Sequence, residues 1–106
     1  MFRKAFVYIL MLTCTWWITA DVAPAADGGK LFIRECGTCH QVGGEVKPVN
    51  PADKAEVVWA KYFKRDRHPV KLSTIATSDE LASILKYLQQ HAADSDSPEA
   101  AAIPKG

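Results

Sequence analysis

The sequence predicts a small all-α domain, and three observations carry that prediction. Apolar residues recur at helical spacing in three separate windows, no window alternates apolar and polar residues as a strand does, and the length left for folding suits a few short helices. Of the 106 residues, 1–26 read as an export signal, 27–92 as one folded domain and 93–106 as a flexible tail. A domain of that size buries too little apolar surface to be stable with ease, so a disulfide set, a metal or a large cofactor is expected to add to it.

The export signal rests on Arg3 and Lys4, then an apolar run from Ala5 to Ala20 broken by Thr13, Cys14, Thr15 and Thr19, then Ala23-Pro24-Ala25-Ala26 as a cleavage site. The run is about 16 residues, short of the ~20 a spanning helix needs. Apolar Trp16, Trp17 and Ile18 follow Cys14 closely, which argues against lipidation there. A periplasmic or otherwise exported location follows, without stable membrane insertion once the signal is cleaved.

The first helix is expected from Asp27 to Cys36, opened by Gly28 and Gly29, with Leu31, Phe32 and Cys36 on one face. Gln41 to Asn50 carries Gly43, Gly44 and Pro48 and reads as a loop. A second helix is expected to start at an Asn50 cap with Pro51 in its first turn and to run until Arg67-His68-Pro69 stops it. Its apolar positions are Ala55, Val58, Trp59, Tyr62 and Phe63. Residues 70–76 read as a further loop. Thr77-Ser78-Asp79-Glu80 fits a capping box, and Leu81, Ile84, Leu85 and Leu88 form the buried stripe of a last helix ending near His91.

Composition narrows the function. The formal net charge is +1, and without Arg3, Lys4 and Asp21 the basic and acidic residues balance, so no excess exists to hold a phosphate backbone. Once Cys14 leaves with the signal, Cys36 and Cys39 remain. A disulfide between them would close a very small loop and stabilise little. The two thiols belong instead to Cys36-Gly37-Thr38-Cys39-His40, a C-x-x-C-H attachment site for c-type haem. Two sulfurs on one turn can form thioethers to the two vinyl groups of one porphyrin, and the adjacent imidazole of His40 is a strong axial ligand for its iron. A redox dithiol would want a βαβ context and structural zinc a fourth ligand, and neither is present in the pattern.

With that motif in place, the chain resembles a small class I cytochrome c over residues 28–90. Gly28 and Phe32, eight and four positions before Cys36, match the family pattern, as does the aromatic Tyr87 in the last helix. The resemblance implies a small cytochrome c-like domain of three to four helices wrapped around one covalent haem c. It implies that the first and last helices cross near Tyr87, and that a proline carbonyl, Pro48 or secondly Pro51, accepts the hydrogen bond of the proximal His40. Trp59, Tyr62 and Phe63 are expected to wall the haem pocket or the helix contact.

One departure from the family changes the expected chemistry. Its usual distal ligand is methionine, whereas both methionines here, Met1 and Met11, lie in the signal. His68, 28 residues after His40 and 19 before Tyr87, is the first candidate for the distal position. A site without a strong distal protein ligand is the second possibility, and His91 is the third. Imidazole in place of thioether favours ferric iron, so the expectation is a low-potential electron carrier rather than an enzyme. The alternative is a haem module that binds small gaseous ligands at a weakly held distal position. Lys61, Lys64, Arg65, Arg67 and Lys71 form a basic run that reads as a solvated face or as a docking patch for an acidic redox partner.

Overall fold

The computed structural model describes residues 27–106. The export signal, with Met1, Met11 and Cys14, lies outside the described residues. Among them the chain forms three α-helices, α1 (Gly28–Cys36), α2 (Glu56–Arg65) and α3 (Ser78–Gln90), with 3₁₀ turns at Pro51–Asp53 and Leu72–Thr74 and no β-strand. The fold is all-α.

Each helix begins where a backbone N–H finds an acceptor. Asp27 caps α1, its Oδ1 accepting from the amides of Gly29 at 3.0 Å and Lys30 at 3.4 Å. At α3, Thr77 Oγ1 accepts from the Glu80 amide at 3.2 Å and Glu80 Oε1 accepts from the Thr77 amide at 3.0 Å, a reciprocal capping box. The Glu80 carboxyl also receives Arg34 at 3.0 Å, which ties the two helices at the surface. α3 packs against both α1 and α2, so it is the central element. Leu31 and Phe32 of α1, Trp59 of α2 and Ile84 and Leu88 of α3 meet in one core with Ala92 and Ile103.

The crossing of α1 over α3 is very close. A Cβ placed on Gly28 would lie 2.3 Å from the carbonyl oxygen of Ser83 and 2.9 Å from Tyr87 Cβ, so only glycine allows the approach. Beside it the rings of Phe32 and Tyr87 are 5.8 Å apart.

The second helix differs from the sequence expectation. Asn50 and Pro51 begin a single 3₁₀ turn, the chain then extends through Lys54 (φ −137°, ψ 154°) and Ala55 (φ −70°, ψ 158°), and α2 starts at Glu56. Distant groups cause the break. Lys54 O accepts from the Ala93 amide at 3.1 Å, and the Glu56 amide donates to Asp94 Oδ1 at 2.8 Å, so α2 is capped from a residue 38 positions away. α2 ends at Arg65, where Asp66 adopts the left-handed conformation (φ 50°). The loop expected at 70–76 also contains the short 3₁₀ turn Leu72–Thr74.

The C-terminal segment is a second correction. Expected to be a flexible tail, residues 93–106 fold back over the domain. The Glu99 amide donates to His91 O and the Ala52 amide to Glu99 O, each at 3.0 Å, and Ile103 is 2% exposed within the core. Ile103, with Ala102 beside it, and a set of non-local hydrogen bonds hold a stretch whose composition is otherwise that of a linker.

Candidate haem-iron site

The C-x-x-C-H motif occupies the turn that continues α1. The Gly37 amide donates to Ile33 O at 3.0 Å, the Cys39 amide to Cys36 O at 3.3 Å and the His40 amide to Cys36 O at 2.9 Å, so both sulfurs and the imidazole come from one tightly wound segment. Thr38 Oγ1 returns to Arg34 O at 2.8 Å and Gln41 Nε2 donates to Thr38 O at 2.9 Å, pinning the turn from both sides. Cys39 is exposed. Cys36 is half-buried, and burial first, then the charge of Glu35 and of Cys39, pushes its thiol up to about 11.

His40 Nδ1 lies 2.9 Å from the carbonyl oxygen of Lys47. A carbonyl can only accept, so Nδ1 carries the proton and Nε2 keeps the lone pair that a metal requires. The sequence reading assigned this acceptor to Pro48 and secondly to Pro51. The structure gives it to Lys47, whose carbonyl belongs to the peptide bond just before the Pro48 ring, while Pro51 O accepts from Trp59 Nε1 at 2.8 Å.

His68 sits in the loop between α2 and the second 3₁₀ turn. Its Nδ1 is 2.6 Å from Val70 O, which accepts from Nδ1–H and leaves the Nε2 lone pair free by the same argument. The two imidazole rings have centroids 6.2 Å apart and planes inclined at 56°. At that spacing His40 and His68 would be the two imidazoles able to hold one metal ion between them. His91 Nδ1 makes the same kind of bond, to Ser97 O at 2.7 Å, and what sets this histidine apart is its place: its ring lies 4.9 Å from Tyr87 at the helix crossing.

The surroundings of the histidine pair suit a flat apolar macrocycle. Val42 and Val46 on the loop after His40, and Val70 beside His68, are exposed apolar side chains. A separate cavity of about 470 Å³ lies between the end of α2, the second 3₁₀ turn and α3, lined by Phe63, Leu72, Leu81 and Leu85 among others, and neither histidine of the pair lines it. Among the described residues no three Cys, His, Asp or Glu side chains gather to hold a bare ion, so zinc has no ligand set there. The donors fit haem: two thiols for thioethers and two Nε2 lone pairs for iron.

The aromatic residues divide between two roles. Tyr62 meets His68 edge to face at 6.4 Å and meets Trp59 in the same manner at 6.4 Å. Trp59 itself is 3% exposed and part of the core, as is Phe32 at 1%. Tyr87 packs at the helix crossing, its hydroxyl pushed up by burial and then by the charges of Glu99 and Asp27. Lys61, Lys64, Arg65, Arg67 and Lys71 are all exposed, and Lys71 lies 3.8 Å from Asp66. The sequence pattern does not mark Lys47, Ile103 or the pairing of the Asn50 side chain, expected only as a helix cap, with Ile103. Lys47 acts through its backbone, and Asn50 and Ile103 pair across half the chain.

Among the described residues no helix is long and apolar enough to cross a membrane. No family model matches the chain and no solved structure matches it. The chain is similar to a curated protein, cytochrome c6 of a Synechococcus species, at 36% identity over 52 residues. That stretch is 47% of this chain and 46% of the relative, so the chain spans about half the length of the protein it matches.

Proposed function

We propose that this protein is a periplasmic, low-potential electron-transfer c-type cytochrome, with one haem held through Cys36 and Cys39 and ligated axially by His40 and His68. One observation carries the reading: beside a C-x-x-C-H motif, two imidazoles with Nδ1 tied to backbone carbonyls stand 6.2 Å apart. The similarity to cytochrome c6 supports electron transfer as the function class.

Bound haem supplies a one-electron ferric/ferrous couple, and the protein determines where that couple sits and who reaches it. Cys36 Sγ and Cys39 Sγ are the attachment atoms, and the winding of residues 36–40 presents them together with His40. His40 and His68 each keep Nε2 free for iron because Lys47 O and Val70 O hold the proton on Nδ1. Two neutral nitrogen ligands leave no coordination position for a substrate, which makes the protein a carrier rather than an enzyme. Imidazole in place of the family's methionine stabilises the ferric state and sets a low midpoint. The exposed basic run from Lys61 to Lys71 flanks His68 and serves to speed encounter with an acidic redox partner.

Low-temperature EPR of the oxidised, haem-loaded protein tests the ligation. Wild type gives a low-spin bis-imidazole signal, and His68→Ala replaces it with a high-spin signal and raises the midpoint. An unchanged signal in His68→Ala refutes the assignment. Carbon monoxide binding to reduced wild type without displacement kinetics would favour the gas-binding reading instead. Mass spectrometry of exported material that lacks a covalent porphyrin overturns the whole proposal.

A further inference from the structure

Asn50 is completely buried, and its side-chain amide is spent on one residue of the C-terminal segment. Oδ1 accepts from the Ile103 amide at 2.7 Å and Nδ2 donates to Ile103 O at 3.0 Å, the pattern by which one strand pairs with another. On its own main chain, the Asn50 amide donates to Asp53 Oδ2 at 2.8 Å and Asn50 O accepts from the Asp53 amide at 3.0 Å. Every polar group of Asn50 is therefore engaged, half with the first 3₁₀ turn and half with the chain terminus.

Three residues before Asn50 is Lys47, whose carbonyl receives the Nδ1 proton of His40. The link between them is short and stiff. Pro48 has a fixed φ and holds Lys47 in the extended region, and Val49 packs against the core. Residues 47–50 lie in no helix or strand; the Val46 amide, bonded to Cys39 O at 3.2 Å, fixes one end of the stretch and the Asn50 clamp fixes the other, so the Lys47 carbonyl is set from both ends. The C-terminal segment reaches the same loop at a second point, since a Cβ on Gly106 would lie 3.2 Å from Val42 Cγ2.

We infer that Asn50 is a positioning residue for the proximal histidine, and that residues 93–106 are a strap whose pairing with Asn50 holds the Lys47 carbonyl on His40 Nδ1–H. The inference rests on the haem reading above and adds to it a determinant of potential outside the ligands. A firmly held acceptor makes the imidazole a more basic ligand and favours ferric iron, and a slack one has the opposite effect.

The test compares Asn50→Ala with Ile103→Ala in the haem-loaded protein. Asn50→Ala removes both clamp bonds, whereas Ile103→Ala removes buried side-chain volume but leaves the backbone groups of residue 103 in place. Three quantities are read: hydrogen exchange of the His40 ring N–H by NMR in the reduced state, the midpoint potential, and the thermal midpoint. Asn50→Ala is expected to speed the exchange about tenfold or more and to move the potential upward. Ile103→Ala is expected to lower the thermal midpoint with exchange and potential at wild-type values. Wild-type exchange and potential in Asn50→Ala overturn the inference, as does an equal change in both variants, which would mean general loosening. If Asn50→Ala does not load haem, deletion of residues 102–106 removes the same partners and must reproduce the faster exchange. Haem-free wild type would sink the haem reading itself, an outcome distinct from these.

Discussion

Replacing Gly28 with alanine sets two physical effects of opposite sign against each other. Alanine favours helix over glycine by about 1 kcal/mol in a helix interior, and less at the first position of α1, so propensity alone predicts a small gain. The crossing predicts a loss. The new Cβ would stand 2.3 Å from Ser83 O and 2.9 Å from Tyr87 Cβ. The oxygen belongs to the backbone of α3 and cannot swing aside, so the helices must separate by the better part of an ångström. That separation loosens the Phe32–Tyr87 contact, now at 5.8 Å. Overpacking of this kind costs about 1–3 kcal/mol, which exceeds the propensity gain. For a domain of this size, each kcal/mol moves the thermal midpoint by about 4–8 °C. The assay is thermal and guanidinium unfolding of the haem-loaded protein, with Gly29→Ala as the comparison. There the nearest atoms are Tyr87 Cε2 at 3.1 Å and Asp27 Oδ1 at 3.3 Å, ends of side chains that can move. Gly28→Ala should be the less stable of the two and below wild type. Stability at or above wild type would show that the helices do not cross this closely.

Two further outcomes concern the central helix. The Glu80 carboxyl is held below its ordinary value of 4.5 by the Thr77 amide, then by the Thr77 hydroxyl and Arg34. A depressed carboxylate stabilises the fold above its unfolded value and loses that contribution as pH falls through its folded value. Glu80→Gln should therefore melt below wild type at pH 7, and the difference should shrink on acidification below about 4.5; a gap that widens in acid contradicts the linkage. Ile84 is 1% exposed, and Ile84→Ala should lower the unfolding free energy by about 2–5 kcal/mol in a denaturant titration. A cost under about 1 kcal/mol would mean that the site collapses around the smaller side chain or that the core is elsewhere.

How much of the candidate site could be read in advance depended on how local each interaction is. The C-x-x-C-H spacing is local, so the winding of residues 36–40 was legible, and so was the cap at Thr77, whose partner Glu80 is three residues on. His68 was singled out by elimination, because the only methionines precede residue 12. Its place 6.2 Å from His40 depends on where α2 stops and how Asp66 turns the chain. The acceptor for His40 was placed one residue late, because a backbone carbonyl leaves no mark in a side-chain pattern.

Periodicity, capping chemistry and the C-x-x-C-H spacing were sufficient to determine an all-α fold with its first and last helices and the place of Cys36 and Cys39 on one turn, since those signals act within one or two turns. Tertiary structure alone decided that the run after Asn50 breaks at Lys54 and that the chain terminus lies in the core. Ala93, Asp94 and Ile103 impose both by offering hydrogen bonds and apolar contact across some 40 to 50 residues of sequence. Local propensity cannot register a partner that far along the chain, and a buried amide satisfied by a distant backbone overrides it.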